Sequence, residues 1–160
     1  MCSSDLFPSH DNQHMDSHST VEMVTTDSSG GGLIGSTHSS YIFSCSSTAS
    51  LEGHDRMGGL IGYNDVSSVV QACSSNASIL GQQHVGGLVG MNHTGSFIGS
   101  SHSSGSVSGV NYVGGLVGYN TSVISNSYSD TAAYRDWETD RKSTRLNSSH
   151  ITRSRMPSSA

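Results

Sequence analysis

Three groups of side chains in this 160-residue chain have types and spacings that could do chemistry. His10, His14 and His18 recur every four residues, a spacing that on a helix would align three imidazoles for Zn²⁺ or Ni²⁺. The segment around them is polar and lacks apolar periodicity, so it reads as a polar lead-in rather than a metal site. Glu52, Asp55, Arg56 and Asp65 gather acids beside a base, as a polysaccharide lyase or hydrolase requires. They fall at turn-like positions with no Lys among them, which favours a solvated corner. Cys45 and Cys73 are a third candidate, as a disulfide or as a stacked pair of small residues. No catalytic residue, cofactor or metal ligand is expected, and the chain is read as a non-enzyme.

Glycine is the more informative residue. GGLIG begins at Gly31 and Gly58, and GGLVG begins at Gly86 and Gly114, spacings of 27, 28 and 28 residues. A phosphate-binding loop occurs once, between a strand and a helix, whereas four copies at a fixed period express backbone geometry. The period extends between the signatures. Ile42, Val70, Ile98 and Ile124 correspond, followed three residues on by Cys45, Cys73, Ser101 and Ser127. Leu51, Ile79, Val107 and Ala133 come six residues later, and Gly53, Gly81, Gly109 and Arg135 two beyond those. Length changes fall just after each signature, which predicts loops at Ser36–Tyr41, Tyr63–Val69, Met91–Phe97 and Tyr119–Val123.

The elements that must carry this pattern are short strands. Each repeat holds about three apolar clusters parted by Gly, Ser and Asn, with no sustained helical spacing. The expected fold is all-β: a parallel β-solenoid of about four 27–28-residue coils, three faces to a coil, with disordered ends. Coils ~4.8 Å apart would stack equivalent residues into ladders. Leu33, Leu60, Leu88 and Leu116 then form one core stack, with the inward choice between Leu60 and Ile61 left open. Gly31, Gly32, Gly35, Gly58, Gly59, Gly62, Gly86, Gly87, Gly90, Gly114, Gly115 and Gly118 are the structural glycines, expected to supply positive φ at corners and to avoid clashes between coils. Stacking would also bring the Cα atoms of Cys45 and Cys73 within disulfide range, although in-register side chains point the same way. A small-residue ladder is therefore the preferred reading.

Composition bounds the partners. Residues 31–133 carry four acids and one base, Arg56, too little positive charge for nucleic acid or an anionic membrane surface. No run approaches the ~20 apolar residues of a membrane helix, and the first residues lack the features of a secretory signal. Residues 1–29 read as lead-in, 30–133 as the solenoid and 134–160 as a separate tail. That tail holds six of the seven basic residues and no glycine, and it resembles translated adapter or vector sequence. On this reading the chain is an internal piece of a longer protein. The sequons at Asn76, Asn92 and Asn120 follow from Ser-rich composition.

The four signatures and the ladders between them resemble the GLUG-motif repeats of bacterial surface proteins. The resemblance implies a β-solenoid in an extracellular or cell-surface setting, acting as an adhesin-like stalk or binding surface. Host glycan or protein, and neighbouring repeats, would be its partners. The alternative it implies is a scaffold joined to a surface peptidase or glycan-degrading enzyme domain.

Overall fold

Strict alternation sets the longest strands. Along Ser46–Gly53 and Ser74–Leu80 every second residue is buried, and Ser47, Ala49 and Leu51 align with Ser75, Ala77 and Ile79 as the inward set. Small Ser and Ala alternate inward with Leu or Ile, so this face fits a narrow interior rather than a broad core. The computed structural model describes residues 18–26 and 28–135, and among these no helix forms.

Each coil runs through four short strands, and every strand pairs in parallel with its counterparts in adjacent coils. The long sheet contains His18–Thr26, Ser46–Gly53, Ser74–Leu80 and His102–Gly109, closed by Tyr128–Ser129 and Ala132–Arg135. A second sheet stacks Gly30–Gly31, Met57–Gly58, Gln83–Gly86 and Asn111–Gly114. A third stacks Ile34–Thr37, Ile61–Asn64, Val89–Asn92 and Val117–Asn120. A fourth stacks Tyr41–Phe43, Val69–Gln71, Phe97–Gly99 and Val123–Ser125. The fold is thus a parallel β-solenoid of about four coils with four sheets, where the sequence suggested three faces. The extra sheet arises because the chain bends inside the Gly-Gly-Leu signature, which splits one apolar cluster into two strands.

Register follows the repeat. Ile42 pairs with Val70, Val70 with Ile98 and Ile98 with Ile124. Leu51 pairs with Ile79, Ile79 with Val107 and Val107 with Ala133. The loop between the third and fourth sheets absorbs changes in length: Asn92 to Phe97 in the third coil shortens to Asn120 to Val123 in the fourth.

Two boundaries differ from the sequence reading. His18–Thr26, placed there in a disordered lead-in, forms a strand along Ser46–Gly53, with a register shift between Val21 and Val24. Its parallel pairing satisfies one edge of the long sheet, which a polar sequence can do through its backbone alone. At the other end pairing continues past Ala133, with Tyr134 on Ser108 and Arg135 on Gly109. The remainder of the tail, and His10 and His14 of the histidine series, lie outside the described residues.

The interior is divided. One apolar cluster joins Ile42, Val70 and Ile98 to Leu60, Ile61, Leu88 and Val89. A second joins Leu51, Ile79 and Val107 of the long sheet to Met57, Val85 and Val113 of the second sheet. Each fully buried aliphatic side chain contributes roughly 1.5–3 kcal/mol.

Candidate functional site

The partition between the clusters is made by the glycine signature. After Met57 and Gly58 the chain turns at Gly59 and Leu60 and returns as Ile61–Asn64, so the second and third sheets fold back on one another. The two arms meet through backbone. A Cβ on Gly58 would collide with the Ile61 carbonyl oxygen and lie 2.5 Å from the Gly90 nitrogen. A Cβ on Gly62 would lie 2.7 Å from the carbonyl oxygens of Arg56 and Gly35. The tip presses on the long sheet, where a Cβ on Gly59 would collide with Ser75 Oγ and the Gly87 carbonyl. The same infold recurs in the other coils: Gly31, Gly32, Gly86, Gly87 and Gly118 face equally close contacts, Gly115 would meet Ser129, and Gly35 is the roomiest. Gly114 pairs with Gly86 in the second sheet.

The leucines fix the bend. The Leu88 carbonyl accepts N–H bonds from both Leu60 and Ile61, at 2.9 and 3.0 Å, and the Leu116 carbonyl does the same for Leu88 and Val89. The Leu60 carbonyl accepts in turn from Leu33 and Ile34. Leu60, Leu88 and Leu116 lie in one cluster with Leu33 packed against it at its edge. Leu60 and Ile61 are both fully buried there, since the bend falls between them and cancels strand parity.

One role expected of the glycines is corrected. Among the described residues, positive φ at glycine occurs only at Gly95 and Gly105, neither within a signature. The left-handed corners are built from non-glycine columns instead: Ser44, Ala72, Ser100 and Asn126 form one, and Arg56, His84 and Tyr112 another. Signature glycines are required for the absence of a side chain rather than for φ.

Polar ladders cross the coils as regularly as the apolar ones. Thr37 Oγ1 donates to Asn64 Oδ1, Asn64 Nδ2 to Asn92 Oδ1, and Asn92 Nδ2 to Asn120 Oδ1, at 2.7–2.8 Å. The Cys45 N–H donates to Cys73 Sγ at 3.4 Å, Cys73 N–H to Ser101 Oγ at 3.1 Å, and Ser101 N–H to Ser127 Oγ at 3.1 Å. Buried Ser103 donates to the Gly115 carbonyl at 2.7 Å, tying the long sheet to an infold tip. Of the sequons at Asn76, Asn92 and Asn120, that at Asn92 is wholly buried and that at Asn76 exposed.

The charged residues come together outside the infold. Asp55 lies 3.3 Å from Arg56 Nε and 2.6 Å from Nδ1 of His84 in the next coil. The Arg56 guanidinium sits 5.1 Å over the Tyr63 ring, whose hydroxyl donates to Asp65 at 3.1 Å. Asp65 is bracketed by His38 at 3.3 Å and His93 at 3.5 Å, from the coils on either side. Burial pushes the Asp65 pKa up, but hydrogen bonds from the Val66 N–H, His38 and Tyr63 outweigh it and hold the carboxyl below its ordinary value. Burial, then the hydrogen bond and charge of Asp65, push the Tyr63 hydroxyl up against the opposing Arg56. Glu52 stands apart, exposed on the long sheet. His84 stacks on Tyr112 at 5.0 Å, and Tyr119 meets both edge-on.

Sequence reasoning singled out the acids and Arg56 but missed these histidines and tyrosines. The repeat carried their signal, since Arg56, His84 and Tyr112 are 28 residues apart and His38, Asp65 and His93 follow the same period. The arrangement ties coils together through charge and ring contacts. Among the described residues no group of three His, Cys, Asp or Glu side chains is placed to hold a metal ion, and His18, the described member of the histidine series, lies in a strand with Nδ1 2.6 Å from Ser46 Oγ.

No curated protein matches the chain. The family comparison identifies the GLUG motif at residues 109–131, a span that begins at the end of the long strand His102–Gly109 and takes in the infold and fourth-sheet strand of the last coil. The GLUG motif carried by this chain is, in structural terms, most of one turn of the solenoid.

Proposed function

We propose that this β-solenoid is a structural segment of a secreted or cell-surface protein, an adhesin-like stalk that presents a binding surface and performs no chemistry of its own. The observation that carries the proposal is the division of labour within each coil. The repeated glycines, leucines and small polar residues are taken up by backbone packing, core and ladders, so residues that differ between coils are displayed outside. Tyr41, Tyr112 and Tyr128 are exposed on the fourth, second and long sheets, with Tyr112 stacked on His84 and Tyr128 on His102. Exposed tyrosines with an apolar ring and a hydroxyl suit the mixed faces of a glycan or a protein epitope. The bacterial surface setting rests on the resemblance of the repeats.

Two measurements test the proposal. Antibodies raised against the solenoid should label intact, unpermeabilised producing cells. The purified chain should bind members of a glycan array or immobilised host-surface proteins, with binding weakened by Tyr112→Ser. Labelling only after permeabilisation, together with no binding on either surface, would overturn it.

A further inference from the structure

In a parallel stack, equivalent side chains point the same way, which argues against a covalent link between them. The pair Cys45 and Cys73 keeps that common direction, each thiol donating to the carbonyl two residues back as Ser101 and Ser127 do, but it is the one place in the ladder where both neighbouring rungs are thiols in contact. Cys73 Sγ is directed along the solenoid axis toward the coil below, accepting the Cys45 N–H at 3.4 Å and sharing a hydrogen bond with the Cys45 thiol. Both residues lie between a left-handed corner, Ser44 or Ala72, and the first residue of a long strand, outside the paired strands themselves. The Cys45 carbonyl accepts from the Ser74 N–H at 2.9 Å and the Cys73 carbonyl from the His102 N–H at 3.0 Å, so a link between the thiols must close by side-chain rotation over a backbone held in place. The Cys45 hydrogen bonds draw the Cys73 thiol pKa down against the effect of burial, which favours the nucleophilic thiolate. Both thiols are reduced and 1% exposed, so only a small oxidant reaches them.

We propose that Cys45 and Cys73 are a covalent modification site, closing under a hydroperoxide into a disulfide that staples the first coil to the second. The Cys73 thiolate attacks one oxygen of hydrogen peroxide; the O–O bond breaks, and the departing hydroxide takes up a proton to leave as water. The resulting sulfenic acid is attacked by Cys45, forming the S–S bond and breaking the S–O bond, and a second water leaves with the Cys45 proton. Two thiols are oxidised by two electrons and one peroxide is reduced to two waters. The closed loop spans a whole coil, so the link restricts the unfolded chain more than the folded one. The inference is independent of the adhesin reading.

The test uses the full chain carrying Cys2→Ser, treated with hydrogen peroxide at neutral pH. Peptide mapping should find loss of two hydrogens and one cross-linked peptide containing Cys45 and Cys73, reversed by dithiothreitol. The oxidised protein should melt about 5 °C or more above the reduced form. Cys73→Ser, which installs the residue that Ser101 provides one coil on, should fold and show no such shift. Oxygen added to either cysteine without a cross-link, thiols that react only in denaturant, or a cross-link that lowers the melting temperature would each overturn the proposal.

Discussion

Asn64 Nδ2 donates to Asn92 Oδ1 one coil away at 2.8 Å, with both side chains fully buried. Asn92→Ala removes the acceptor for Asn64 and the donor to Asn120, leaving buried polar groups unpaired at a cost of about 1–3 kcal/mol. Exposed Asn76→Ala should change stability by no more than about 0.5 kcal/mol. Parallel thermal melts check the contrast. The same burial predicts that, in a glycosylating host, the folded chain is modified at Asn76 and not at Asn92, readable by glycopeptide mass spectrometry.

Gly87→Val should destabilise the solenoid by about 3 kcal/mol or more, because a Cβ there collides with the Gly115 carbonyl and the packed backbone of the infold tip cannot step aside cheaply. Ser103→Ala should cost about 1 kcal/mol, since it removes the buried hydrogen bond to that carbonyl and the hydroxyl contacts with Ser129 and Thr131 while adding no bulk. Circular dichroism melts that placed the two variants together would remove the infold contact as the reason for the glycine.

Asp65 sets an acid limit. Its folded pKa lies below the unfolded value, so its contribution is present above about pH 4 and is lost as pH falls through the folded value. Asp65→Asn should therefore lower the melting temperature at neutral pH and converge with the parent chain in acid. A constant difference from pH 7 down to pH 2 would show that the carboxylate charge is not what stabilises.

Ala72 occupies a left-handed corner at φ 55° and is solvent-exposed. Its counterpart in the last coil is Asn126, a residue type that tolerates this conformation better. Ala72→Asn should stabilise the chain by about 0.5–1 kcal/mol, seen as a higher midpoint in urea. A lower midpoint would mean that the corner carries no strain to relieve.

The ladder registers were legible in the sequence because they depend on period alone: Ile42 over Val70 over Ile98 follows from counting. Loop positions were legible for the same reason, since a length change must fall where no sheet is broken. What counting could not supply was direction within the signature. Leu60 and Ile61 are adjacent and yet both buried, which no strand alternation predicts; the bend beside them depends on close approach to the Gly90 backbone and the Ser75 hydroxyl, residues 15 and more positions from Leu60. The same bend turned three expected faces into four sheets. Positive φ was assigned to glycine on general preference, whereas the corners fell at Ser44, Arg56 and His84, where hydrogen bonding and ring contacts hold the backbone. The Asp55–His84 and Asp65–His38 pairs escaped notice because each spans a coil boundary, so neither partner is remarkable beside its sequence neighbours.

A hollow tube flattens when it is bent, and flattening is how it fails. The Gly-Gly-Leu infold spans the lumen of this one from wall to wall, in the manner of the web inside a girder, and its thinness is what lets it fit. Bending loads on the rod are thereby shared between two narrow cells instead of one wide one. A side chain added to that web would swell the cross-section at one level only, so damage from a single glycine replacement should be felt first as a local weak point along the rod.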